Sequence, residues 1–393
     1  MKKLYKFRLY PSDLIEKKMI FVLDSCRILY NMQLEYEKQI YFLDQRYANR
    51  TELNNLIPDW KIIEPNIRKV HSQVLQNVSD RLHKAFEGFF RRTKSGEKAG
   101  FPRFKNRDRC VSFSYVQSGF KLEGGKLKLS KVGEINICLH RDIKGKVKTL
   151  TIEKTRTNKW YACFSVEQAQ PIEQKRKGAC VGIDIGLNHF YADSEGNKIC
   201  APEYLRKSEQ KVVLLQKHHS RKKKGSLNRA KLRLKIAKLH EKVANQRLDF
   251  LHKQARKLAD NYAYVAVEQL HIENMVKNHC LAKSISDASW YKFLHILSYK
   301  VEETGGQIVR VNAKGTSQYC ICGNKVEKSL AVRVHKCNKC GLRMDRDVMS
   351  AILIKAIAFD KHTVGTTGIN ACGDATSAHP EIVAQIASLK QEA

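Results

Sequence analysis

The chain has 393 residues, 42% of them hydrophobic, which supports two or three domains with real cores and excludes wholesale disorder. Its formal net charge of +33 exceeds ordinary solubility needs and points to a polyanion, nucleic acid first and an anionic membrane surface second. No apolar run is long enough to span a bilayer, and the basic N-terminal stretch lacks the apolar core of a signal peptide. The twelve Cys, eight of them scattered singly, read as thiols of a reducing compartment rather than a disulfide framework.

In chain order, Leu4–Tyr10 reads as a strand ended by Pro11, and Ser12–Asp44 as a helix with Ile15, Met19, Val22, Leu23, Ile28 and Leu29 on its apolar stripe. Thr51–Pro65 reads as a polar break containing Pro58. The next helix is marked by Val74, Val78, Leu82, Phe86 and Phe90, which step by four, widened by Leu75 and Phe89. Its other face carries Ser72, Gln73, Gln76, Arg81 and Lys84, as a solvated face would. Arg91–Arg109 is a loop in which eight of nineteen residues are Lys or Arg. Phe101 and Phe104 interleave with Arg103 and Lys105, the chemistry of phosphate pairing with base or sugar stacking. Cys110–Phe164 consists of short alternating runs divided by glycines, the pattern of a small barrel, and Gln168–Lys177 is a polar linker.

Val181–Phe190 alternates apolar residues with Gly182, Asp184 and Gly186, so it is expected as a buried strand carrying an acid. Alone, that suits a solvated strand end as well as a metal ligand. Two further strands follow, Phe190–Ala192 and Lys198–Cys200, across the turn Glu195-Gly196-Asn197. Antiparallel strands after a carboxylate-bearing strand open the ribonuclease H-like fold. Glu203 to Asp260 is helical, with eighteen Lys and Arg against five Asp and Glu. Its interruption, Arg221-Lys222-Lys223-Lys224-Gly225-Ser226, is dense enough in charge to read as a nucleic-acid surface. Tyr262–Leu270 is a second buried strand, ending in Glu268, and open α/β sheets put their chemistry beyond such strand ends. Ser284–Glu303 is expected as one helix capped by Ser286 or Asp287, and Gln307–Asn312 as a strand.

Cys337 and Cys340 have the spacing of a zinc knuckle half; Cys320 and Cys322 are one residue tighter than usual. Four thiolates on one zinc ion are the expected arrangement, with His335 a substitute ligand if the tight pair cannot place both sulfurs. Directly afterwards, Asp345 and Asp347 open a helix, and one of them can serve simply as its cap. Three carboxylates on two strands and a helix start can hold two divalent cations roughly 4 Å apart. Oxygen ligands favour magnesium or manganese.

These features, together with YKFRLYPS, GFPRFKNR (100–107), GIDIGLNHF (182–190), SRKKKGSLNR (220–229), KLHEKVANQR (238–247), VEQLHIENMVKN (267–278), AKSISDASW (282–290), GTSQYC (315–320), CNKCG and DRD (345–347), give a sequence that resembles TnpB almost from end to end. TnpB is the RNA-guided RuvC-type nuclease encoded by small insertion sequences. The resemblance implies a multidomain α/β chain: a wedge-like β-barrel (1–10 and 100–175) with a helical recognition insert (11–99), and a ribonuclease H-like (RuvC) domain (180–314 and 342–360). A zinc ribbon (315–341) interrupts the latter, and a loosely ordered tail (361–393) follows. It implies Asp184, Glu268 and Asp347, rather than Asp345, as the catalytic acids. It implies a guide RNA from the element's own locus, a duplex DNA target with a short flanking motif, a cytoplasmic setting, and neither a membrane nor a small-molecule substrate. The helix with Ser72 and Gln76, then Ser114 and Gln117, are the expected readers of that motif; Arg229 and Arg247 join the basic contacts. Two departures stand out. The first cysteine pair is C-x-C, and Met349 replaces a usual Asn. A nuclease-inactive RNA-guided repressor and a compact type V CRISPR effector are the alternatives; the intact acids argue against the first.

Overall fold

The computed structural model describes residues 2–168, 178–312, 318–329 and 332–359. The expected linker beyond Gln168 and the C-terminal tail, with its helix expected near Pro380–Leu389, lie outside these. The chain divides into two compact units, residues 1–170 and 171–393.

In the first unit, strand β1 (Lys2–Tyr10) is central. Tyr5, Phe7 and Leu9 are buried while Lys6, Tyr10 and Leu4 face outward, the alternation that a half-buried strand requires. It is flanked by β5 (Gly133–Cys138) and β7 (Trp160–Glu167), both antiparallel to it. With β2 (Ser112–Val116), β3 (Phe120–Glu123), β4 (Lys126–Leu129) and β6 (Lys146–Lys154) the order is β2-β6-β7-β1-β5-β4-β3. Gly124 and Gly125, both at positive φ, make the two-residue turn from β3 to β4. The ladder does not close: β2 and β3 are its two ends, so the expected barrel is a half-barrel.

Helices α1 (Asp13–Asp44) and α4 (Ser72–Lys94) pack on this sheet, and all three contribute to one continuous hydrophobic core. Between them, α2 (Arg50–Asn55) and α3 (Ile57–Ile63) correct the reading of Thr51–Pro65 as a break. Each is too short for a visible 3.6 period. Pro58 sits in the first turn of α3, where its missing N–H costs nothing, and Asn49 caps α2 through the Glu52 N–H at 2.9 Å.

The second unit is built on strands β8 (Cys180–Asp184), β9 (His189–Asp193), β10 (Lys198–Cys200), β11 (Tyr264–Glu268) and β12 (Gln307–Val311), in the order β10-β9-β8-β11-β12. The first three are antiparallel; β11 runs parallel to β8, and β12 to β11. Helices α5 (Tyr204–Ser220), α6 (Leu227–Asn261), α7 (Ile272–Met275), α8 (His279–Ala288) and α9 (Trp290–Glu303) supply the crossovers. A hairpin of β13 (Val334–Lys336) and β14 (Arg343–Asp345) leads into α10 (Arg346–Phe359). The expected single helix over 284–303 is two: Ser289 takes a left-handed φ of 57° between α8 and α9. Ser286 and Asp287 therefore lie inside α8, which Asn278 caps. Ten cysteines among the described residues are free thiols. Among the described residues, no helix is long and apolar enough to cross a membrane.

The two faces of this sheet are covered differently. Val181, Ile183, Val265 and Val267 pack with Leu251 and Leu258 of α6 and Phe293 and Leu297 of α9. The intervening Gly182 and Ala266 face α10: Ala266 clusters with Ile354, and a Cβ built on Gly182 would stand 2.2 Å from the Ala351 carbonyl oxygen. Glycine is thus what lets helix and strand backbones touch.

Gly182→Ala should destabilise the chain by about 1–3 kcal/mol or more, since backbone cannot yield as a side-chain tip can. Gly88→Ala, in α4 with no atom within 4 Å of its built Cβ, should be neutral or stabilising. Urea unfolding of both variants measures this, and equal midpoints would refute the contact.

Candidate active site

Asp184 and Glu268 end two neighbouring parallel strands. The register pairs Gly182 with Ala266 and Ile183 with Val267, which puts the two acids side by side one step further on. Each stands two residues beyond a residue that faces α10, so both side chains share that face. Phe359, at the end of α10, packs on Tyr264 and Cys180 at the strand starts, so helix and strands run in opposite directions. Asp347 precedes Ala351 by one helical turn, about 5.4 Å. Moving back along the helix from Ala351 and forward along the strand from Gly182 brings Asp347 to Asp184.

The electrostatics agree. Burial, then the charges of Glu268 and Asp347, push Asp184 up from 3.8 to about 8, against a smaller pull from Arg346. A buried acid raised by two neighbouring carboxylates has a surplus of negative charge and oxygen donors, the donor set a hard divalent cation fits.

Asp345 plays the other part that the sequence allowed. Its Oδ1 accepts the N–H groups of Asp347 (2.9 Å) and Val348 (3.3 Å), capping α10, and its Oδ2 accepts from Lys198 at 2.7 Å. Burial works against its charge, but Lys198 and the two N–H groups outweigh it and hold the carboxyl below its ordinary value. Asp347 is left facing His189, whose Nδ1 lies 3.4 Å from Oδ2, and Arg333, 3.9 Å from Oδ1. The Asn188 carboxamide oxygen, turned to satisfy both groups, accepts from Arg333 at 2.6 Å. Arg346 donates to the Ser329 carbonyl at 2.9 Å. Met349, where the resemblance expects Asn, is buried in α10 and offers no polar group to this site.

Cys320, Cys322, Cys337 and Cys340 bring their four sulfurs within 4.8 Å of one another, despite the tight first pair. Gly323, at φ 76°, turns the chain after Cys322, and Gly341, at φ 74°, does so after Cys340. Burial opposes ionisation of Cys337, but the backbone N–H groups of Cys340 and Lys339 outweigh it and lower the thiol to about 6. Such a cluster fits a zinc ion. His335 is fully buried but belongs to a different contact, with Lys328.

The candidate nucleic-acid residues divide into outward and inward sets. Ser72 and Gln76 are exposed at the start of α4, and exposed Gln117 is beside them, since Gln73 accepts the Ser118 N–H at 3.1 Å. Ser114 is buried, its hydroxyl bonded to Arg81 and Thr151, each at 2.8 Å. Arg81, expected on the solvated face, is thereby tied to the sheet. Phe101 packs edge-on against Phe86 and Phe89 while staying exposed on its other side; Arg103 and Phe104 are exposed as well, with Lys38 over the Phe104 ring. Lys105 turns inward, its Nζ 3.6 Å from the centre of the Tyr30 ring, and burial lowers its pKa. Arg221, Lys222, Lys223 and Lys224 are exposed in the turn between α5 and α6, which Arg229 braces by donating to the Lys222 carbonyl at 2.9 Å. Arg247 is paired with Asp287 at 2.5 Å, and Asp287 also accepts the Leu205 N–H at the start of α5, so this pair joins three helices. Asn188 and His189 stood out only as part of GIDIGLNHF, and no pattern marked Lys198 or Arg333, because only the folded chain brings them to the acids.

A half-barrel with packed helices in one unit, and a mixed five-stranded sheet with a four-thiol knuckle in the other, define a mixed α/β chain. A solved structure described as "Cryo-EM structure of the Cas12f1-sgRNA-target DNA complex" has this fold: it covers 90% of this chain and 98% of its own, with a TM-score of 0.56 at 12% identity. Family models described as "Probable transposase", "Cas12f1-like, TNB domain" and "Helix-turn-helix domain" match residues 163–279, 290–354 and 1–45. The last of these segments folds here as one strand and one long helix. A "Putative RNA-guided DNA endonuclease" of Streptomyces pristinaespiralis is 31% identical over 383 residues, covering 95% of this chain and 92% of the relative. InsQ of Escherichia coli, of the same description, is 30% identical over 415 residues, covering 100% and 98%. A CRISPR-associated endodeoxyribonuclease, Cas12f1 of Sulfoacidibacillus thermotolerans, is 24% identical over 225 residues, 53% of each chain. The chain belongs to the TnpB family.

The setting of Asp184 has a consequence for stability. Its folded-state pKa lies above its ordinary 3.8, so the folded chain keeps a proton that the unfolded chain has released. The stability this confers is fully present below about 3.8 and is lost as pH climbs towards about 8. In EDTA, the melting temperature of the unmodified chain should fall between about pH 5 and about pH 9 more steeply than that of Asp184→Asn. Parallel curves would contradict this placement of the carboxyl.

Proposed function

We propose that the chain is an RNA-guided DNA endonuclease of a transposable element, which hydrolyses a phosphodiester bond in target DNA beside a short flanking motif. The observation that carries this is the convergence of Asp184, Glu268 and Asp347 on one face of the sheet, in a chain of net charge +33. A central strand, β8, flanked by antiparallel β9 and then β10 on one side and by parallel β11 and then β12 on the other, is the order of ribonuclease H-like nucleases, which supports a RuvC-type domain. The names of the long-matching relatives support the guided activity.

The residues divide the work. Asp184, Glu268 and Asp347 would hold magnesium or manganese, which when bound supplies Lewis acidity to the attacking water and the leaving 3′ oxygen. Asp345 fixes the start of α10 and so the backbone from which Asp347 projects. Cys320, Cys322, Cys337 and Cys340 would hold zinc and keep the knuckle folded. The exposed Arg221–Lys224 turn, with Arg103 and Phe104 of the other unit, suits RNA and DNA backbones. Ser72, Gln76 and Gln117 offer side chains for the flanking motif. A chain that delegates sequence reading to its guide needs few base contacts of its own.

Asp184→Ala, Glu268→Gln and Asp347→Asn should each cut below about one-thousandth of the unmodified rate, without additive losses, since the acids work as one unit. Binding of the guided target should persist in all three. Gel-resolved cleavage with a parallel binding assay decides, and measurable cutting by Asp184→Ala would remove that residue from the reaction.

Elemental analysis should find one zinc per chain, and Cys337→Ser should lower that content and the melting temperature together. A zinc-free unmodified protein would defeat the knuckle assignment. Full zinc in Cys320→Ser would exclude that sulfur from the ligand set.

A further inference from the structure

Asp347 projects from the first turn of α10, where a carboxylate can rotate about two bonds. Its backbone is fixed, because its N–H is bonded to Asp345 and Asp345 is in turn held by Lys198 of β10. Its two oxygens face different partners. Oδ1 lies 3.9 Å from Arg333, a half-exposed side chain already bonded to Asn188. Oδ2 lies 3.4 Å from Nδ1 of His189, the first residue of β9, and both of these side chains are largely buried. An ionised carboxylate only accepts, so the tautomer that carries its proton on Nδ1 is the one that donates to Oδ2. β9 is hydrogen-bonded to β8, so the ring that reaches Asp347 stands on the strand next to the one that carries Asp184.

We propose that His189 is a positioning residue for the nuclease reaction, orienting the Asp347 carboxylate through Nδ1 so that it converges with the carboxyl groups of Asp184 and Glu268. This rests on the reading of Asp347 as a metal-holding acid. A donor on a ligating carboxylate restricts its rotation and sets which lone pairs face the ion. The geometry also specifies the donor's place. An Asn amide nitrogen can stand close to where Nδ1 stands, whereas a Gln amide reaches a carbon further, toward the place of Nε2.

The test uses full-length His189→Leu, His189→Asn and His189→Gln, with Gln as the size control. Manganese binding to the RNA-free protein is read from the EPR signal of free Mn²⁺. Single-turnover cutting by the RNA-loaded complex, at saturating target, is read against magnesium concentration. His189→Leu and His189→Gln should weaken Mn²⁺ binding and raise the magnesium requirement about tenfold, while His189→Asn stays within about threefold of the unmodified protein. Target affinity should be unchanged in all three. Unaltered Mn²⁺ binding in His189→Leu, or an Asn variant no better than Leu, would overturn the proposal. An unmodified complex that binds Mn²⁺ normally but never cuts would remove the endonuclease reading, leaving this proposal to be decided by the Mn²⁺ affinities. An unmodified protein that binds no Mn²⁺ overturns both.

Discussion

The closest constraint in the second unit is the contact of α10 with β8, where the Ala351 carbonyl and the Lys355 amide lie over Gly182 with no side chain between them. Any Cβ there would lever the helix away from the sheet. The same contact decides where Asp347 stands, since that residue is one turn from Ala351 and its strand counterpart, Asp184, is two residues from Gly182. Two of the three acids are thus positioned by a packing contact that neither makes. The third, Glu268, is placed by the pairing of β11 with β8. The convergence therefore follows from strand register and helix packing, both rigid, rather than from loops.

Held together, the acids are unfavourable on their own account. Burial and two like charges drive Asp184 far from its ordinary value, and such a site is maintained by the structure around it rather than by its own interactions. Cationic and donor groups nearby lessen that repulsion. Lys198 takes Asp345, His189 and Arg333 approach Asp347 from the side, and Arg346 draws Asp184 down only a little. A large excess of cations in the chain at large thus coexists with a local excess of anions, the pattern expected of a protein that attracts nucleic acid and retains divalent cations at one place.

Much of this was legible in the sequence where one residue's surroundings are local. The alternation around Asp184 and the apolar run into Glu268 announced both strands and the strand end at Glu268, whereas the strand expected to run on to Phe190 stops at Asp184. The step-by-four pattern of Val74, Val78, Leu82 and Phe86 gave α4, and the cysteine spacing gave the knuckle. What failed was local chemistry with a distant answer. Asp345 and Asp347 look interchangeable two residues apart until Lys198 and the α10 amides claim the first. Ser114, Lys105 and Arg247 looked like groups free to meet nucleic acid, yet Arg81, Tyr30 and Asp287 engage them from other elements. Asp287, read with Ser286 as a possible cap of its own helix, accepts an N–H at the start of α5 instead. The left-handed turn at Ser289 left no mark, because no glycine announced it. Pro58 signalled an interruption where it opens a helix.

The central claim is that this acid cluster cuts DNA chosen by a bound RNA. The most direct measurement compares RNA-free protein with protein reconstituted with the structured RNA of its own locus, in magnesium, on one duplex matching the guide segment and one mismatched beside the flanking motif. The account predicts cutting of the matched duplex by the reconstituted complex alone. Equal cutting of both duplexes by RNA-free protein would mean an unguided nuclease and contradict it.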